Sequence, residues 1–208
     1  MSNFLTTESY KDCAVCAYHE SGHILFAYLC GYKCRHVELI PETVEGYSSI
    51  AIIDYGNDSM LASKFLNGET NLHYFKSLPL GLRLESIEVG GRLSRLLLGG
   101  SVAAAVFNNS GNVHIPLPIQ VDYSDLLKVE WIHYVLKEIG EQEENLIDIG
   151  LQDALYTISN INVWDTIVDL AERLLAGKQL DKNDIEECLE KHGILYNKES
   201  SGGISFEV

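Results

Sequence analysis

The sequence predicts a mainly helical α+β domain with a small β-sheet after its first helix. Apolar residues recur at helical spacing through most of the chain, and two short strand-like runs stand together between His36 and Ile53. Neither an internal repeat nor a low-complexity tract breaks this pattern. At 208 residues, with 46% hydrophobic and 22% charged side chains, the chain can bury a core as one domain. We expect that domain over residues 1–198 and a flexible tail over 199–208, where Glu199-Ser-Ser-Gly-Gly203 offers nothing to pack.

The elements follow in order. From Glu8 to about Leu29, the positions Val15, Tyr18, Ile24, Leu25 and Leu29 fit one helix, and Gly31 is placed to end it. His36–Ile40 alternates as a strand, Pro41 through Gly46 reads as a turn, and Tyr47–Ile53 reads as a second strand. Between Asp54 and Gly81 no period dominates. Leu82 to Phe107 is a long helical stretch interrupted by Gly99 and Gly100. Asp125 to Ile139 sets Leu126, Val129, Trp131, Ile132 and Val135 at helical spacings. Further helices are expected at Glu144–Ile158, Val163–Leu175 and Asn183–Lys191. The last has Asp181 as N-cap and Asp184 three residues on, an acidic relative of the capping box.

Composition excludes some partners. A formal charge of −15 and a pI near 4.7 repel nucleic acid and anionic membrane surfaces. No apolar run approaches the roughly 20 residues of a membrane helix, and MSNFLTTESYKDC lacks the basic start of a signal peptide. The expectation is a soluble, intracellular, cytoplasmic protein whose five cysteines are reduced. Cys13-x-x-Cys16 and Cys30-x-x-x-Cys34 imitate a zinc-ribbon pair of pairs, but Cys13, Cys16 and Cys30 share one helical pattern. Small buried hydrophobes are the better reading.

Chemistry concentrates in Ala17-Tyr-His-Glu-Ser-Gly-His23. His19 and His23 stand four apart, so a helix presents both imidazoles on one face, within reach of one ion. Glu20 is turned about 100° from His19 and can take a proton from water activated by that ion. The pattern is the H-E-x-x-H of zinc hydrolases. A helix can also carry such residues on a solvated face without metal. Here apolar neighbours surround the motif, so its polar side chains need partners. Gly22 costs about 1 kcal/mol of helix stability against Ala, which a close backbone approach near a metal would explain. A catalytic zinc needs a third protein ligand, and YLCGYKCRHVELIPE supplies none at helical spacing. Cys16, His73, His114, Asp122 and Asp125 remain as candidates.

In order along the chain stand AYHESGH, VELIPETVEGYSS, LGGSVAAAVF, VDYSDLLKVEWI and RLLAGKQLDKNDIEECL. This succession, from about Ala17 to Leu189, resembles the peptidase domain of FtsH-type ATP-dependent zinc metalloproteases. The resemblance implies a helical zinc-peptidase domain, with His19, His23 and Asp125 holding Zn2+ and Glu20 as general base. Without it, Asp122-x-x-Asp125 reads first as helix capping. Two departures stand out. Val102-Ala103-Ala104-Ala105 replaces the family's Ala-Ala-Glu-Glu, so the paired carboxylates are missing at Ala104 and Ala105. Only about 18 residues precede the motif, and no G-x-x-x-x-G-K-[ST] occurs. The expectation is thus a stand-alone peptidase acting on unfolded polypeptides or peptides, with a separate ATPase partner or a homo-oligomer as further expectations. The competing expectation is a non-catalytic zinc scaffold or a partner subunit of an ATPase or protease complex. Gly46 to Ile53 is the candidate strand for binding an extended peptide, although an ordinary structural strand reads equally well.

Overall fold

The computed structural model describes residues 13–41, 47–67, 72–115, 119–140 and 145–194. The expected tail, the start of the first helix at Glu8–Asp12 and most of the turn after Pro41 lie outside the described residues. In chain order the elements are α1 (Cys13–Leu29), β1 (Lys33–Pro41), β2 (Tyr47–Asp54), a 3-10 turn (Gly56–Asp58), α2 (Ser59–Leu66), α3 (Leu72–Ser77), α4 (Leu80–Asn108), α5 (Tyr123–Gly140), α6 (Leu146–Ile158), α7 (Ile161–Gly177), β3 (Gln179–Asp181) and α8 (Lys182–Lys191). The fold is mainly α with one small antiparallel sheet, as expected.

α1 is apolar nearly all round and is buried from Cys16 to Leu29, the condition of a central helix. It packs against α4, α7 and the sheet, while α5 and α6 pack on α4. Gly31 at φ +82° turns the chain out of α1, and Tyr32 N–H closes the turn on the Ala27 carbonyl. β1 then pairs with β2 on one side and with β3 on the other, giving the order β2-β1-β3. Among the described residues β2 is thus an edge strand.

Three features differ from expectation. α4 runs unbroken through Gly99 and Gly100, because both glycines are buried against α1 and packing outweighs their poor propensity. β3 lies in a stretch that reads as purely helical, and three residues are too short to show a period. Leu180 fills the core from it while β1 supplies the ladder. Between Asp54 and Gly81 lie the 3-10 turn, α2 and α3, whose Phe65 and Phe75 stack with centroids 4.7 Å apart. Tyr32 and Arg92 both donate to Asp58 Oδ2, at 2.9 and 2.6 Å, and pin this segment to α4.

At α8 the expected capping box forms in full. Asp181 Oδ1 accepts from Asn183 and Asp184 N–H, and Asp184 accepts from Asp181 N–H. No helix among the described residues is long and apolar enough to cross a membrane.

At Gly22 α1 and α4 approach closely. A Cβ there would stand 2.6 Å from the Gly99 carbonyl oxygen and 2.8 Å from Ala103 Cβ. The close backbone approach expected at this glycine is thus the packing of α1 on α4. Gly22→Ala should lower stability by about 1–3 kcal/mol in chemical unfolding, because the backbone of α4 must shift, despite the gain in helix propensity.

Candidate metal centre

The helical spacing of His19 and His23 sets their rings one turn apart on α1, edge to face at 88°, with the two Nε2 atoms 2.8 Å apart. His23 Nδ1 lies 3.0 Å from the Leu96 carbonyl oxygen on α4. A carbonyl only accepts, so Nδ1 carries the proton, and in the neutral ring the Nε2 lone pair faces the site. Metal-binding histidines are held in this way. Gly100 makes the approach feasible, since a Cβ there would sit 2.6–2.8 Å from three atoms of the His23 ring.

Asp125 is brought to the same point from α5. Its Oδ2 stands 3.0 Å from His23 Nε2 and 3.3 Å from His19 Nε2. These are ion-pair distances; Oδ2 is buried and makes no directed hydrogen bond. Asp122 does the capping. Its Oδ1 accepts from Ser124 N–H at 2.9 Å and from Asp125 N–H at 3.3 Å, and its own N–H goes to Ser101 Oγ on α4. Asp125 has no capping duty and points inward.

Two imidazole nitrogens and one carboxylate oxygen are donors that a borderline divalent ion takes. Around a four-coordinate ion with bonds of about 2.0–2.1 Å, neighbouring donors stand about 3.3 Å apart. The observed 2.8, 3.0 and 3.3 Å fit after small adjustments of the rings. Glu20 is buried beside them, with a carboxylate oxygen within 4.8 Å of the histidine donors. Its Oε1 accepts from Ser49 Oγ of β2 at 2.5 Å. A cavity of about 290 Å3 opens on these groups, lined also by Tyr47 to Ala51, Ile53, Leu97, Ser124 and Lys128.

The other candidates lie elsewhere or are otherwise engaged. Cys16 is buried, its thiol pushed up to about 12 by burial and by Glu20. His73 is exposed on α3. His114 is also exposed and borders a separate open hollow of about 570 Å3 with Tyr156. All five cysteines are free, and Cys16, Cys30, Cys34 and Cys188 are buried as small hydrophobes. A second group, Asp169, Cys188 and His192, also has metal-donor types close together. There Arg173, Lys191 and His192 already contact the Asp169 oxygens at 3.0, 2.7 and 3.1 Å, so it is an ion-pair network. The residues missed in the sequence are Ser49, Ser101, Gly100 and Lys128. Of these only Lys128 carries a local signal, three residues after Asp125.

No family model matches the chain, and no curated protein matches it.

Without a metal, the site holds protons instead. Burial alone pushes the His23 imidazole down, yet the charge of the adjacent Asp125 carboxylate raises it to about 9. Burial likewise opposes ionised Asp125, but His23 and His19 hold its carboxyl well below the usual range. For His23 the folded value exceeds the ordinary 6.5, so its stabilising contribution is present below that pH and lost as pH rises through about 9. For Asp125 the contribution is present above the ordinary 3.8 and lost as pH falls below it. Metal-free protein should therefore peak in stability between these limits and weaken towards pH 9, as urea unfolding in chelator will show. Metal added at pH 7.5 should release a proton from His23, measured by calorimetry in two buffers of different ionisation enthalpy. Gly100→Ala should abolish this metal binding while the chain still folds, since the ring that must move is a ligand candidate.

Proposed function

We propose that the chain is a zinc-dependent metallopeptidase that hydrolyses peptide bonds in unfolded or flexible polypeptides. One observation carries the proposal: His19 Nε2, His23 Nε2 and Asp125 Oδ2 converge beside a buried glutamate at the bottom of a cavity walled by an edge strand. The donor set suits zinc and leaves room for a fourth position. Zinc, when bound, supplies Lewis acidity and brings the pKa of its water towards about 7.

The chain's own residues do the rest. Leu96 fixes the His23 tautomer, so Nε2 stays available as a donor. Ser49 holds Glu20 Oε1, leaving Oε2 to accept a proton from the attacking water and return it to the leaving amine. β2 can pair with an extended peptide along its open edge, with main-chain hydrogen bonds giving affinity. The succession of segments that resembles an FtsH-type peptidase domain supports the same reading. The proposal extends to a cytoplasmic protein that works with a separate ATPase or as a homo-oligomer.

A non-catalytic zinc scaffold, or a partner subunit of an ATPase or protease complex, is the second reading. Ala104 and Ala105, where the resembled family has glutamates, favour it. The buried, oriented Glu20 opposes it, since structural zinc needs no base.

Glu20→Gln decides between them. We expect the variant to retain zinc at wild-type stoichiometry and lose about 100- to 10,000-fold in casein cleavage, the usual range for a lost general base. Wild type that holds zinc and cleaves no unfolded substrate would establish the scaffold. Substrate state gives a further test, because global unfolding of a folded domain costs about 5–15 kcal/mol. The purified protein should digest a destabilised mutant domain and spare its stable parent, with or without ATP. ATP-stimulated digestion of the stable form by the pure protein would refute the proposed division of labour.

A further inference from the structure

We infer that Lys128 is a positioning residue of the metal centre, holding Asp125 Oδ1 so that the carboxylate meets the ion through Oδ2 alone. The inference rests on the zinc reading above for the identity of the ion. Lys128 follows Asp125 by three residues on α5, so both side chains leave the same face. Its Nζ stands 3.3 Å from Oδ1. The two oxygens of Asp125 thus have different surroundings. Oδ1 meets a cation, whereas Oδ2 makes no directed hydrogen bond and lies against both imidazoles. The Asp125 side chain is 5% exposed and that of Lys128 27%, so the pair is largely withdrawn from water while the lysine still borders the cavity. That geometry is unlike a surface ion pair between two solvated side chains.

The chemical consequence concerns coordination number. An unrestrained carboxylate can bind an ion with both oxygens and occupy the position that a catalytic site keeps open. Engaging Oδ1 with an ammonium disfavours that mode and orients Oδ2. Hydrogen-bonded partners of ligating carboxylates support metal binding, and losing one costs about 10–100-fold in affinity. A lysine that acted only through its charge would repel the ion, and its removal would tighten binding. The two roles give opposite signs.

The test uses the full chain, as wild type, Lys128→Met and Lys128→Arg, freed of metal. Each is titrated with zinc against a chromophoric chelator, and the visible spectrum of each cobalt-loaded form is recorded. We expect Lys128→Met to bind zinc about 10–100-fold more weakly. Its cobalt bands should lose intensity as coordination rises above four, and Lys128→Arg should keep both properties near wild type. Thermal unfolding of the metal-free proteins separates positioning from folding, and Lys128→Gln replaces the Met variant should that misfold. Unchanged or tighter zinc in the neutral variants, or an unchanged cobalt spectrum, overturns the inference. Wild type that binds neither zinc nor cobalt overturns it together with the zinc reading. Wild type that binds zinc but cleaves no casein removes only the peptidase reading, and the clamp is still judged on affinity and spectrum.

Discussion

The close crossing of α1 and α4 is the constraint on which the site depends. Gly22 admits the Gly99 carbonyl, and Gly100 admits the His23 ring, at separations that no Cβ tolerates. Only because the backbones approach this closely can His23 Nδ1 reach the Leu96 carbonyl. That bond orients the second imidazole and sets its tautomer. Each helical glycine costs about 1 kcal/mol in propensity, and burial of Leu25, Phe26, Leu97, Leu98 and Val102 around the crossing offsets this by about 1.5–3 kcal/mol per large side chain. A weak spot in local propensity is thus compensated by tertiary packing.

α4 also governs the acid. Ser101, one residue after Gly100, accepts the Asp122 N–H and so fixes the entry of the chain into α5. Asp122 caps α5 with its carboxylate, and Asp125 in the first turn is left to face the histidines. Asp125 is buried yet ionised because two imidazoles and an ammonium surround it, which reverses the usual effect of burial on a carboxyl. Helix geometry on α1, glycine contacts on α4 and capping on α5 therefore converge on one point from segments about a hundred residues apart.

This division explains what the sequence made legible. His19, Glu20 and His23 are encoded within one helical turn, so spacing alone brings them together. Asp125 is not encoded locally; residue patterns left it beside Cys16, His73, His114 and Asp122, and only a family resemblance singled it out. Gly22 was recognisable as a close backbone approach, but the sequence did not show that α4 is the partner. Ser49 and Ser101 carry no signal, since a serine in a strand or a glycine-rich helix has no distinctive spacing. β3 is too short for a period, and α2 and α3 are short helices whose order comes from the Phe65–Phe75 stack and the Tyr32–Asp58–Arg92 pin. The long helices were readable because their apolar periods are sustained, with errors of only a few residues at their ends.

β2 ties the sheet to the chemistry. Ser49, Ala51 and Ile53 share one face of β2 and line the cavity, with the half-exposed Ile50 at its rim, while Ile52 points into solvent. Ser49 sits on the inner face and donates directly to Glu20, so the edge strand helps to orient the glutamate. Under the peptidase reading, a chain pairing with that edge is registered against the proton acceptor by the same strand that orients it. Separate elements would have to hold this alignment through packing alone, and a displacement near 1 Å is enough to cost about 100-fold in rate. A single short hydrogen bond between strand and helix removes that degree of freedom. The small sheet therefore positions the glutamate as well as covering α1.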